Sequence, residues 1–191
     1  MSAVPFSGFQ GSLQVNMTGN GQIIPSGGVN PISGQAQIGP YNVAFGLGTG
    51  ISLGNEMVGQ IRTLAASATE TLLLSSALQD ILGQSSITLA RIRAIMIVLL
   101  SSTVGQVGYD SVNGTACSSI SLGSAASHPW ITGPFGATDN YKIGGGELWL
   151  HACNSSTGMT VSSAGSEQLK VINNDSTYAA HYLFALIGAA S

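Results

Sequence analysis

The run Ile87-Thr88-Leu89-Ala90-Arg91-Ile92-Arg93 alternates in polarity, and Ala94-Ile95-Met96-Ile97-Val98-Leu99-Leu100 then stays apolar without a break. Alternation marks a strand with one wet face, and a continuous apolar run of this length marks a central strand buried on both faces. A helix is the alternative. The β-branched content and the flanking Ser85-Ser86 and Ser101-Ser102 pairs favour a strand.

Much of the chain follows the same rhythm. Ser12–Thr18, Tyr41–Leu47, Arg62–Leu64 and Thr69–Leu74 read as short strands in the first half. Ser118–Leu122, Tyr141–Ile143, Glu147–Cys153, Met159–Ser162, Gln168–Ile172 and Tyr178–Ile187 read as strands in the second. Turn chemistry separates them, as at Gly144-Gly145-Gly146, Ser155-Ser156-Thr157-Gly158 and Asn173-Asn174-Asp175-Ser176. Many short strands at this spacing predict an all-β antiparallel sandwich or jelly roll. No period of about twenty to fifty residues repeats, which argues against solenoids and propellers.

One helical signal interrupts the strands. Ser75 or Ser76 is placed to cap, Ala77, Leu78, Ile81 and Leu82 form one apolar face, and Gly83 supplies a stop. A helix of one or two turns is expected there, held by packing. The first forty residues are rich in Gly, Ser, Asn and Gln, with Pro5, Pro25, Pro31 and Pro40 among them. They read as an extended N-terminal arm, residues 1–40, carrying a strand or two ahead of a sandwich domain over 41–191. A first hairpin folded into the main domain is the alternative.

Charge narrows the function. Only 7% of the residues are charged, against roughly 25% in ordinary soluble proteins. Neutral polar side chains must wet the surface, or neighbouring subunits must cover it. Arg62, Arg91, Arg93, Lys142 and Lys170 are scattered and the net charge is −3, so the basic face that nucleic-acid binding requires is missing. The longest apolar run, Ala94–Leu100, is far shorter than the ~20 residues of a spanning helix, so no membrane segment is expected. Met1-Ser2-Ala3-Val4-Pro5-Phe6 has no basic region leading into an apolar core, and folding in a cytoplasm is expected. There, Cys117 and Cys153 are expected as thiols, with an inter-strand disulfide as the alternative. The four Asn-x-Ser/Thr sequons, at Asn16, Asn113, Asn154 and Asn174, then arise by chance in a polar surface.

Chemical motifs are weak. Two Cys and three scattered His do not make a zinc site, and neither a metal nor a cofactor is expected. The acidic residues stand singly, and Asp139 with Glu147 is the least poor carboxylate pair for glycoside hydrolysis. His128, His151 and His181 have many serines nearby in sequence but no Gly-x-Ser-x-Gly elbow. Gly144-Gly145-Gly146 precedes a strand and lacks the helix that makes a glycine loop hold phosphate, so it reads as a turn. Arg91 and Arg93 share one face of their strand, either gripping a partner carboxylate or lying in solvent. Phe6, Phe9, Trp130 and Phe135 are the candidate interface residues, since aromatic anchors carry much of interface energy. Trp130 and Phe135, in a loop with Pro129 and Pro134, would otherwise close one end of the sandwich. Trp149 is expected in the core.

A sequence of motifs adds a resemblance. Gly48-Thr49-Gly50, Arg62-Thr63-Leu64-Ala65-Ala66, Leu78-Gln79-Asp80-Ile81-Leu82-Gly83 and Ala90-Arg91-Ile92-Arg93-Ala94-Ile95 occur in order. Leu122–Trp130, Gly145-Gly146-Glu147-Leu148, Gly158-Met159-Thr160-Val161 and Leu169-Lys170-Val171-Ile172-Asn173 follow. From Tyr41 to Gly188 this order resembles small β-sandwich structural proteins of tailed bacteriophages, and the chain is similar in size and texture to capsid decoration (cement) proteins. The resemblance implies a non-enzymatic virion protein on the capsid exterior. It would bind the major capsid protein at capsomer junctions and form homo-oligomers, trimers foremost. A tail or fibre component touching host glycans through Trp130 is the alternative.

Overall fold

The computed structural model describes residues 11–23, 32–47, 53–54, 56–75, 78–79, 85–104, 108–124, 130, 135, 140–153, 155, 157–162, 165 and 167–189. Its elements are β1 (Gly11–Ile23), β2 (Ile32–Leu47), β3 (Leu53–Gly54), β4 (Glu56–Leu64), β5 (Thr69–Leu73), β6 (Leu78–Gln79) and β7 (Ser85–Ile87). They continue with β8 (Arg91–Leu99), β9 (Ser119–Ser124), β10 (Asn140–Gly144), β11 (Leu148–Ala152), β12 (Met159–Thr160), β13 (Gln168–Asn173) and β14 (Ala180–Ala189). The described residues are all-β, as their alternating pattern requires.

Two antiparallel sheets face each other. One has the order β11-β8-β14-β4, with β12 extending the edge beside β8, and the other has the order β10-β9-β13-β5. Counted along the chain as strands one to eight (β4, β5, β8, β9, β10, β11, β13, β14), the sheets read 1-8-3-6 and 2-7-4-5. That is the strand order of a jelly roll. It arises when one long antiparallel ribbon, pairing first strand with last and inward from there, rolls up on itself. The tight turn at Gly144–Glu147 carries the chain from one sheet to the other. Glu147 N–H donates to the Gly144 carbonyl at 3.1 Å, and the Glu147 carboxylate accepts from Gly144 N–H at 2.7 Å.

The core lies between the sheets. From β14 and β8 the paired residues Tyr182–Leu99, Phe184–Ile97 and Leu186–Ile95 supply one wall. Leu72, Ile120, Leu122, Ile143, Leu169 and Val171 supply the other. At one margin the edge strands β4 and β5 are locked by a polar group. Arg62 Nε donates to Glu70 Oε1 at 2.9 Å, a second guanidinium nitrogen reaches the same oxygen, and Tyr182 O–H donates to Glu70 Oε2 at 2.6 Å. Burial pushes the Glu70 carboxyl up, but the hydrogen bonds from Arg62 and Tyr182 outweigh it and hold the group below its ordinary value. The Tyr182 hydroxyl is raised, by burial and by the carboxylate it serves. At one end, buried Asn173 donates to the carbonyls of Leu64, Ala65 and Tyr178, which fastens three chain segments together.

Three expectations change. Within the stretch expected to be helical, Leu78–Gln79 pairs with Ser85–Ile87 as a strand, and Leu78 is buried. A helix of one or two turns has little stability of its own, and ladder pairing with burial of Leu78 outweighs it. The other residues of that expected helix, Ser76, Ala77, Asp80, Ile81, Leu82 and Gly83, lie outside the described residues. The long strand expected from Ile87 divides, because Ala90 N–H turns to the Ala189 carbonyl at 2.9 Å and the ladder of β8 starts at Arg91. Arg93 neither lies in solvent nor reaches outward. A bulge opposite Ile187 and Gly188 shifts the register, and the fully buried guanidinium donates to the Ser155 carbonyl at 2.6 Å. Burial and then the neighbouring Arg91 charge lower its pKa. Gly158, at φ +63°, makes the room, since a Cβ there would sit 2.9 Å from Arg93 Nη1.

The first forty-seven residues contain β1 and β2, a long antiparallel hairpin. β2 crosses position 40 without interruption. The register pairs Leu13 with Val43, Val15 with Tyr41, Met17 with Ile38 and Ile23 with Ile32 at one parity. At the other parity it pairs Ser12 with Ala44, Gln14 with Asn42, Thr18 with Gln37 and Asn20 with Gln35. An extra residue in β2, at Gly39–Pro40 opposite Asn16, keeps the apolar positions in step.

Candidate interaction face

The two sheets differ on their outward sides. In the β10-β9-β13-β5 sheet, the outward row contains Thr69, Thr71, Gln168, Lys170, Ser121 and Lys142, with Ile172 and Leu73 among them. That is the ordinary wet side of an antiparallel sheet. In the other sheet, β4 offers Met57, Gly59 and Ile61, and β14 offers Leu183, Ala185 and Ile187. Beside them β8 offers Ala94, Met96 and Val98, and β11 offers Leu148, Leu150 and Ala152. Every outward position in this block is apolar, and Thr63 with His181 ends it.

At one end the described loop after β8 packs on the block: a Cβ at Gly108 would lie 2.5 Å from Val98 Cγ1, and Val98 and Ala94 are buried. Its margins are open, with Ile61 52% and Leu148 44% exposed. In its middle lies a shallow hollow of about 130 Å³ lined by Met57, Ala94, Met96, Leu150, Ala185 and Ile187. Four strands about 4.8 Å apart, each giving three outward positions, make a face roughly 20 Å on a side, or about 400 Å². Ten of its twelve positions keep part of their surface open, so this is the side of the described sandwich with the largest apolar share.

The expected interface residues fall elsewhere. Trp130 is 1% exposed and its Nε1–H donates to the Thr160 carbonyl at 3.0 Å. Phe135 is buried too and stacks on Trp149 with ring centroids 5.1 Å apart. Both rings are used inside the chain, closing the sandwich, so neither presents a face to a partner or a sugar. Phe6 and Phe9 lie outside the described residues. Trp149 is in the core, as expected.

The groups weighed for chemistry do not converge. Asp139 and His128 lie outside the described residues, and Glu147 holds its own turn. His151 stacks on Trp149, and its pKa is lowered by burial. His181 lies at the far end of the sheet, with Nδ1 2.8 Å from the Asn113 carbonyl. Cys117 and Cys153 are free thiols. Among the described residues no group of three or more His, Cys, Asp or Glu is placed to hold a metal, and no helix is long and apolar enough to cross a membrane.

Sequence reasoning missed the apolar face. Its signal was present: Ala94–Leu99 of β8 and Leu183–Ile187 of β14 are apolar at both parities. Fold and face together define an all-β jelly roll with one dry and one wet outer sheet. No protein family, curated protein or solved structure matches the chain.

Proposed function

We propose that the protein is a non-enzymatic structural subunit of a phage virion, a capsid decoration protein seated on the shell exterior at junctions between capsomers. The observation that carries this reading is the apolar outer face of the β4-β14-β8-β11 sheet. A freely diffusing sandwich would put polar side chains there; an assembly subunit keeps the side apolar because a neighbour covers it. The 7% charge content supports the same reading. Surfaces with few charges lose little on desolvation when they are covered. The jelly roll adds only analogy, since that fold serves capsids, lectins and cupins alike.

Repetition over a shell converts modest contacts into resistance to internal pressure. The protein should therefore be abundant in purified particles of the phage that encodes it. Mass-spectrometric stoichiometry is expected to give hundreds of copies per particle, and cryo-electron microscopy to place them on the shell exterior. A handful of copies confined to the tail rejects decoration.

A further inference from the structure

We propose that Asn113–Gly114 is a latent covalent modification site, an asparagine deamidation site that the folded turn holds shut and that opening of the turn commits irreversibly. The site needs no partner and stands whether or not the protein coats a shell.

The pair lies in the loop that follows β8. Where asparagine precedes glycine, the glycine nitrogen can attack the asparagine side chain, because no Cβ hinders its approach. The reaction consumes only water. A bond forms between Gly114 N and Asn113 Cγ, the Cγ–Nδ2 bond breaks, and ammonia leaves with the proton of the glycine N–H. Water then opens the cyclic imide at either carbonyl and gives aspartate or isoaspartate. Burial does not prevent this, since Asn113 and Gly114 are both only half-buried.

Hydrogen bonds prevent it. The N–H of Gly114, the nucleophile, donates to the Asp110 carbonyl at 2.8 Å. Nδ2 of Asn113, the leaving group, donates to Asp110 Oδ2 at 3.0 Å and so pins the side chain. The Asn113 N–H donates to Asp110 Oδ1 at 2.9 Å. A carbonyl can only accept, so His181 Nδ1 donates to the Asn113 carbonyl, at 2.8 Å. The main chain is thereby held on both sides of Asn113. Asp110 itself is anchored by its N–H to the Ser101 carbonyl at 3.1 Å. The hydrogen bonds from Asn113 and Val112 hold its carboxyl below the ordinary value, which keeps it an acceptor at neutral pH. Bringing Gly114 N onto Cγ breaks several of these bonds together, so the reaction runs through local opening of the turn.

The fold requires the reactive pair and excludes its product. A Cβ at position 114 would lie 2.4 Å from the carbonyl oxygens of both Asp110 and Ser101. Aspartate at 113 would set a carboxylate against Asp110 where the amide now donates. Isoaspartate would lengthen the main chain by a methylene in a turn too tight for one added carbon at Gly114. A copy that reacts while open cannot close again. The pair thus marks, permanently, the copies whose turn has opened.

Deamidation of the full-length protein at neutral pH tests this, followed by peptide mass mapping that separates Asn113 from the Asn20–Gly21 pair. Folded wild type should convert at Asn113 at least about 100-fold more slowly than the chain unfolded in guanidinium chloride. Asp110→Ala removes the three side-chain acceptances from Val112 and Asn113 and leaves the reactive pair intact. It should speed conversion of the folded protein at least about tenfold. Equal rates in folded and unfolded wild type overturn the proposal, as does an Asp110→Ala protein that converts no faster. Hydrogen exchange on the wild type covers the case in which that variant does not fold. Deamidation and exchange of the Gly114 amide should rise in parallel with low denaturant; conversion while that amide stays protected overturns the proposal. Asn113→Asp should melt cooperatively yet lose protection at Gly114, and an unchanged protection there overturns the one-way step.

Discussion

The outer sides of the two sheets teach more about this protein than its core does. Both sheets are antiparallel, both have four long strands, and both turn apolar side chains toward the shared interior. Outward, the β10-β9-β13-β5 sheet shows threonines, Gln168, Ser121 and two lysines around Ile172 and Leu73, while the β11-β8-β14-β4 sheet shows a block of apolar residues that ends at Thr63 and His181. The first is finished as a surface. The second keeps an apolar side where the first keeps a wet one.

The contrast between the inside and outside of the dry sheet gives the largest expected effect. Phe184 is fully buried on the inner side, and Leu183 is its outward neighbour. Phe184→Ala should lower unfolding free energy by about 3–5 kcal/mol. In dilute protein, Leu183→Ala should cost less than about 1 kcal/mol, read by urea denaturation. Equal costs would mean that the outer face is already packed within the subunit.

The next test compares the two outer sides. Met96→Lys would bury an unpaired charge in the assembled state, which costs about 3 kcal/mol or more, equivalent to roughly a 100-fold loss of association. Thr71→Lys on the wet sheet should leave self-association unchanged in the same ultracentrifuge measurement.

A smaller effect belongs to the polar margin that joins both sheets. Tyr182→Phe removes the hydroxyl donor to Glu70 and should cost about 1–3 kcal/mol of stability. It should leave oligomeric state untouched, as checked by thermal melting and light scattering.

The smallest effect is the acid limb of stability. Glu70 is held below its ordinary 4.5, and backbone N–H groups of Tyr178, Thr177 and Ser118 hold Asp175 down from 3.8 to about 2. A carboxylate with a depressed folded pKa stabilises fully above its unfolded pKa and loses that contribution as pH falls through the folded value. Melting temperature should therefore be level above about pH 5 and decline from there toward pH 2. Glu70→Gln should flatten the upper part of that decline. An unchanged slope would show that the margin contributes nothing to it.

Much of the jelly roll was legible because strand alternation is local. Thr69–Leu73, Asn140–Gly144, Leu148–Ala152, Gln168–Asn173 and Ala180–Ala189 lie within a few residues of their expected limits. The Gly144–Gly146 turn was legible for the same reason. Leu78–Gln79 was not, because a few apolar residues at helical spacing are worth less than one buried ladder contact. Trp130 and Phe135 could not be assigned from sequence, since a loop aromatic serves equally as anchor or plug. The bulge that takes Arg93 inside leaves no mark in the sequence, where Arg91 and Arg93 simply alternate.

By itself the sequence determined that the chain folds as strands, because period-two patterning and turn residues act over a few neighbouring positions. It determined too that the surface would be poor in ions. Which strands became neighbours was decided only in three dimensions, by pairing across long stretches of chain. That pairing set β4, β11, β8 and β14 side by side, and a residue apolar at both parities becomes half of an open face only when the strands beside it are apolar as well.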